Sequence, residues 1–169
     1  MNEFLTRTVI FGNGGSGKST LAGALARVTG VPPVDLDRFH WEDEGYGRKR
    51  DEEAAKRLTL AEAVKPRWII EGVYGWLADV VLPRATALLW LDLPWAECRA
   101  GLLARGPRRG ADAGAFAELL AWSEAYWTRA TSSSLSGHAA RFEAFAGAKR
   151  RLTSRSAVAE FTTALTGAL

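Results

Sequence analysis

Residues 12–20 read Gly12-Asn13-Gly14-Gly15-Ser16-Gly17-Lys18-Ser19-Thr20, which fills every fixed position of the phosphate-loop pattern G-x-x-x-x-G-K-[ST]. The glycines remove the Cβ atoms that would stop the chain curling with its N–H groups inward. The curled amides form a concave nest for an anion, and a helix starting near Lys18 adds the positive end of its dipole. In such a loop Lys18 reaches the β- and γ-phosphates, and the Ser19 hydroxyl is placed to coordinate Mg²⁺. The flanks agree. Thr8-Val9-Ile10-Phe11 is a β-branched and aromatic run, and the residues that follow Thr20 are rich in Leu and Ala. Strand, glycine loop and helix in this order predict a nucleoside triphosphate site.

Working outward, short apolar runs at 9–11, 34–36, 68–70, 87–91 and 149–152 recur between helical stretches near 18–28, 51–64, 94–105, 114–130, 137–146 and 156–166. That alternation predicts an α/β fold, a parallel sheet with helices on both faces. No repeat or linker divides the chain, so residues 1–169 read as one domain. Two Gly/Arg-rich stretches, 41–50 and 106–113, fit the composition of mobile lids.

The chain carries 17 Arg against 5 Lys and a formal net charge of +3. Arginine suits planar, bidentate phosphate contacts, although an Ala- and Arg-rich composition also reflects codon usage. The single cysteine, Cys98, excludes an internal disulfide and a cysteine-based zinc site. No apolar run approaches the ~20 residues of a membrane span, and Met1-Asn2-Glu3-Phe4 lacks a signal-peptide pattern. A cytoplasmic protein, monomer or homodimer, is expected.

Three acidic positions fall where strands end, on the edge of the sheet that carries the phosphate loop. Asp35 and Asp37 flank Leu36, and strand alternation puts both on one side. One of them suits water-mediated Mg²⁺ binding, and Asp37 suits accepting or anchoring an attacking hydroxyl. Glu71 closes Trp68-Ile69-Ile70-Glu71-Gly72 in the position of a Walker B acid, which makes Ser19, Glu71 and Asp35 the candidate metal-side residues. Asp92 ends the next apolar run and competes with Glu71, but capping of the following helix explains it.

Arg105 and Arg109 lie in a helix end that runs into a Gly/Pro/Arg loop, where mobile cations close over a transferring phosphoryl group. Arg48, Lys49 and Arg50 are candidates to meet an anionic acceptor, and Arg129 is a further lid-side candidate. Trp41 and Trp76 follow the acidic strand ends and are placed to line an acceptor pocket. Trp122, Tyr126 and Trp127 recur at helical spacing and read as core, and His40 as structural. The Ser/Thr-rich stretch 131–136 reads as a connection between helices.

Taken in order, these segments resemble the small P-loop kinases of the adenylate-kinase type, and in particular the FlaR-related proteins labelled "DNA topology modulation protein". The likeness runs through the 12–20 loop, Leu36-Asp37 with Trp41, and Glu71-Gly72-Val73-Tyr74. It continues through Leu91-Asp92-Leu93-Pro94, Leu103-Ala104-Arg105, Trp127 and Arg151-Leu152-Thr153-Ser154. The resemblance implies a three-layer sandwich with a five-stranded sheet in the order 2-3-1-4-5, a helical lid about 106–113, and an acceptor-side segment about 38–64. It also implies ATP with Mg²⁺ as cofactors. Glu71 and Val73 stand where such proteins usually carry Asp and Asn. The expected activity is transfer of the γ-phosphate to a small-molecule or nucleotide acceptor that the motifs leave unidentified. The alternative is a nucleotide-dependent regulatory ATPase acting on DNA, which the basic charge supports weakly. A guanine-specific switch is disfavoured, since Asn2 and Asn13 are the chain's asparagines and neither sits in an Asn-Lys-x-Asp motif.

Overall fold

Parity along the strands sorts the side chains between two cores and fixes where the acids go. The computed structural model describes residues 5–42 and 47–167. Strands β1 (Arg7–Gly12), β2 (Pro33–Asp35), β3 (Trp68–Gly72), β4 (Ala87–Leu91) and β5 (Ala148–Leu152) form one parallel sheet in the order β2-β3-β1-β4-β5. This is the α/β class and the strand order expected above. The helices are α1 (Lys18–Thr29), α2 (Asp37–His40), α3 (Glu52–Ala63), α4 (Gly75–Val81), α5 (Trp95–Arg105), α6 (Ala113–Glu124), α7 (Leu135–Ala144) and α8 (Arg155–Thr166).

The central strands β1, β3 and β4 are apolar on both faces because helices cover both. Val9, Phe11, Trp68, Ile70, Leu88 and Trp90 join a core with α3, α4 and α7. Ile10, Ile69, Leu89 and Leu91 join the other, with Leu21 and Leu25 of α1, Cys98 of α5 and Leu165 of α8. Glu71 lies two residues beyond Ile69, so it faces the α1 side. Asp35 is its register partner on β2 and shares that face.

The sheet's two edges differ in kind. β2 has three residues and begins with Pro33, whereas β5 exposes Ala148, Lys149, Arg150 and Arg151. Lys149 donates to the Phe142 and Glu143 carbonyls, and Arg151 stacks over Trp90 and pairs with Asp92.

Two short helices escaped the sequence reading. α2 spans four residues, too few for any period to show. α4 is a seven-residue, nearly all-apolar run without a side-chain cap, so it gave neither a stripe nor a start signal. The helix expected over 114–130 stops at Glu124, and a 3₁₀ turn over Ala125–Trp127 carries Tyr126 inward. Residues 106–112 are a loop joining α5 to α6, with Gly106, Arg109 and Gly110 at φ 70°, 55° and 70°. The helices that flank the stretch expected as a lid are α5 and α6. Residues 1–4, and 43–46 within the 41–50 stretch singled out above, lie outside the described residues. Among the described residues, no helix is long and apolar enough to cross a membrane.

Candidate active site

The phosphate loop is shaped by what presses on it from outside. Gly15 has φ 74°, and a Cβ there would lie 2.1 Å from the Cys98 carbonyl oxygen. No other residue fits that turn. Asn13 Nδ2 donates to the Ser123 carbonyl at 2.9 Å while its Oδ1 accepts from Gly14 N at 2.8 Å, fastening the loop to the end of α6. Gly17, at φ 97°, is the N-cap of α1 and supplies no side-chain cap. Helices α3, α6, α7 and α8 are capped by the side chains of Asp51, Asp112, Ser134 and Ser154. The N-terminus of α1 thus keeps its positive end for a ligand. The buried hydroxyls of Ser16 and Ser123 beside this loop have no hydrogen-bond partner among the described residues.

Half-buried Lys18 donates to the Asn13 carbonyl at 2.7 Å. Its pKa is lowered by desolvation, against the pull of Glu71, Asp37 and Asp35. The sheet gathers those carboxylates by parity. Glu71, 4% exposed, accepts a 2.6 Å hydrogen bond from Ser19 Oγ. Burial raises its pKa to about 7, and Asp35 and Asp37 add to the rise while Lys18 and the Ser19 hydroxyl oppose it. Asp35 is raised for the same reasons, burial first and Asp37 next, with Lys18 and Arg109 pulling the other way.

Strand alternation does not bring Asp35 and Asp37 together, as the sequence reading had it. β2 ends at Asp35, and Asp37 opens helix α2. The link is a turn in which Asp35 Oδ1 accepts from Asp37 N at 2.8 Å. Tyr74, just past β3, donates its hydroxyl to Asp37 Oδ1 at 2.7 Å and accepts from Trp41 Nε1 at 3.0 Å. His40 stacks on Tyr74 with centroids 4.0 Å apart and meets the edges of Trp41 and Trp76. Burial lowers the His40 pKa to about 4, aided by Lys49, so the ring is neutral.

The backbone below Tyr74 is pinned by a buried chain. Trp90 Nε1 donates to the Tyr126 hydroxyl at 3.2 Å, and that hydroxyl meets His138 Nδ1 at 2.7 Å. His138 Nε2 lies 2.8 Å from the Val73 carbonyl, which only accepts, so the proton is on Nε2 and Tyr126 donates to Nδ1. Burial lowers the His138 pKa to about 3 and keeps the ring neutral.

The basic candidates separate by position. Arg105 and Arg108 line a cavity of about 520 Å³ with Lys18, Ser19, Glu97 and Arg155. Arg109 sits on the exposed loop within electrostatic reach of Asp35. Arg48 pairs with Glu42 at 2.9 Å, and Arg50 donates to the Phe39 and Trp41 carbonyls at 3.0 and 3.1 Å, so it fastens its own loop. Arg129 stacks over Trp122 at 3.7 Å and bonds to the Trp122 and Ser133 carbonyls, which makes it a clasp. Trp122, expected in the core, is 37% exposed beneath it. Asp92 is not a helix cap. The α5 N-cap is Pro94, and Asp92 bonds Arg151 at 2.5 and 2.9 Å across β4 and β5. Buried Cys98 has its thiol pKa pushed up to about 11, which leaves it inert.

Sequence reasoning missed Tyr74 as the partner of Asp37, and it missed Ser123 and Arg155 at the phosphate loop. Tyr74 belongs to the Glu71-Gly72-Val73-Tyr74 segment that carries the family likeness. Nothing in the sequence pairs positions 13 and 123, or 15 and 155.

No known family's sequence profile matches this chain, and no curated protein matches it. Solved structures do. A shikimate kinase from Bacteroides thetaiotaomicron matches with TM-score 0.57 and 19% identity, covering 96% of this chain and 97% of that one. A gluconokinase from Sinorhizobium meliloti matches with TM-score 0.55 and 16% identity, covering 98% of each chain. A sugar kinase from a Janibacter species matches with TM-score 0.53 and 19% identity over 96% of this chain and 95% of that one. At such identities the likeness speaks for the fold. This chain has, end to end, the fold that these kinases share.

Proposed function

We propose that the chain is an ATP-dependent phosphotransferase that moves the γ-phosphate to a hydroxyl of a small-molecule or nucleotide acceptor. The observation that carries this reading is the convergence of an uncapped glycine nest with three carboxylates, Asp35, Asp37 and Glu71, around Lys18. The nest holds the triphosphate, and Lys18 follows the charge that moves to the leaving β-phosphate. Asp37 Oδ1 is held by Tyr74, and its Oδ2 takes no hydrogen bond among the described residues. That oxygen orients the acceptor hydroxyl or takes its proton as the new O–P bond forms and the bridge to the β-phosphate breaks. Arg105 and Arg109 close over the phosphates.

Among the described residues, no group of three or more His, Cys, Asp or Glu is arranged to hold a metal. Mg²⁺ bound with a triphosphate does not need one, because phosphates and waters fill most of its shell. Ser19 and Glu71, 2.6 Å apart, supply a hydroxyl and a carboxylate of the right kind, with Asp35 beside them. When bound, the ion neutralises phosphate charge. We place the protein in the cytoplasm and, within the fold, near the adenylate-kinase-type and FlaR-related kinases. The fold of the solved kinases supports the activity, and the ordered motifs support the relationship.

The test is nucleoside triphosphate consumption with Mg²⁺ across pooled sugars, polyols, hydroxy acids and nucleotides, with duplex DNA as a separate pool. Acceptor-stimulated turnover in at least one pool is expected. Its absence from all of them overturns the kinase reading, and duplex DNA as the stimulating pool would replace it with the regulatory one.

A further inference from the structure

Arg155 is the first residue of α8, at the far end of the chain from the phosphate loop, yet its guanidinium lies on that loop's outer side. Nη1 donates to the Ser16 carbonyl at 2.9 Å, and Nη2 donates to the Gly15 carbonyl at 2.5 Å and to the Glu97 carbonyl at 2.9 Å. The backbone N of Arg155 donates to Glu97 Oε2 at 2.9 Å, which ties the start of α8 to α5. A Cβ on Gly101 would fall 2.5 Å from Arg155 Nη2 and 2.4 Å from the Gly15 oxygen, so α5 is cut away where the guanidinium passes. We propose that Arg155 is a positioning residue for triphosphate binding, holding the carbonyl side of the nest so that its N–H side stays turned to the phosphates. The proposal rests on the triphosphate-binding part of the function proposed above.

A loop that turns its N–H groups inward turns its carbonyls outward; that of Gly15 meets α5 beside Gly101, and that of Ser16 meets the Arg155 guanidinium. Left unpaired there, they would favour a flipped peptide and spoil the nest. The planar fork of arginine meets several carbonyls at once, which an ammonium on a flexible stem does not. The Ser16 carbonyl and the Gly17 N–H belong to one peptide group. A cation on the oxygen therefore polarises the N–H that a phosphate would receive. Arg155 also lines the cavity with Lys18, Arg105 and Arg108, and adds its charge to the field there.

The experiment measures binding of inorganic tripolyphosphate and of ATP by calorimetry, with thermal unfolding in parallel, for wild type, Arg155→Met, Arg155→Lys and the control Arg151→Met. Because the readout is binding, it is independent of whether any acceptor turns over. We expect Arg155→Met to weaken tripolyphosphate binding roughly 10- to 100-fold, the scale of one charge-assisted hydrogen-bond set. Arg155→Lys, which keeps the charge and loses the fork, falls between it and wild type, and Arg151→Met binds like wild type. In turnover, the loss for Arg155→Met appears in the nucleotide KM with kcat held. If Arg155→Met melts lower yet binds tripolyphosphate like wild type, Arg155 merely pins α8 and the proposal is overturned. Failure of the wild type to bind either ligand overturns the proposal together with the triphosphate site.

Discussion

In the function proposed above, the donor half of the site, from the phosphate loop to Glu71, is made of backbone and strand parity. The acceptor half, from Asp37 to Trp76, is made of side chains meeting across helix turns. On the donor side, Glu71 and Asp35 are in place because β2 and β3 are in register. On the acceptor side, Asp37 is held by Tyr74, Tyr74 by Trp41 and the His40 stack, and the Val73 backbone by His138. A site built this way has one half that tolerates little variation and one half that can be rebuilt residue by residue. In the proposed function, the donor chemistry stays fixed while the acceptor changes.

That contrast can be broken most sharply at Lys18. Lys18→Met should lower turnover roughly 1,000-fold, as loss of a transition-state cation does, and weaken triphosphate binding as well. Asp37→Asn should cost about 100-fold or more in kcat while leaving triphosphate affinity nearly unchanged, which separates the halves in a single kinetic experiment. If both variants lose triphosphate binding equally, the two halves are not separable.

The two halves should also answer pH in opposite senses. Glu71 has a folded pKa raised above its unfolded value, so the unfolded chain loses that proton first. Its contribution to stability is present in acid and is lost as pH rises from the unfolded value near 4.5 through about 7. Glu71→Gln should therefore raise the melting stability of the ligand-free protein at pH 8, by about 2 kcal/mol, while lowering activity. His138 has a folded pKa below its unfolded value, so its neutral form stabilises above the unfolded value near 6.5, and stability is lost as pH falls toward about 3. His138→Gln should flatten the acid limb of the profile and leave the alkaline limb alone; melting curves between pH 4 and 9 test both. The smallest effect belongs to Tyr74→Phe, which removes the hydroxyl's hydrogen bonds to Asp37 and from Trp41. It should cost about 1 kcal/mol of stability and roughly 5-fold in acceptor kcat/KM, with nucleotide KM unchanged.

The same contrast explains what was legible in the sequence. The loop at 12–20 and the acid at 71 are local statements, a motif and a strand end, and strand parity carries them into space. The order of strands came from a family resemblance, and the sheet has that order. What stayed hidden depends on contacts between distant positions. Tyr74 with Asp37 joins two helix starts, and Arg155 with Gly15 and Ser16 joins the chain's last helix to its first loop. Arg50 and Arg129 looked like free cations because sequence shows charge and not the carbonyls that absorb it. Asp92 was misjudged for the same reason: its partner, Arg151, is on a strand 59 residues away.

The sheet's two borders carry a consequence for association. At one border, Pro33 offers no N–H, and a strand of three residues gives an incoming chain almost nothing to follow. At the other edge of the described sheet, Lys149, Arg150 and Arg151 place like charges along the open ladder. A second copy approaching that border in register would bring Lys149 and Arg150 against their own counterparts, while Arg151 is already paired with Asp92. Growth of the sheet from molecule to molecule is opposed at both ends, by missing hydrogen bonds at one and by repulsion at the other.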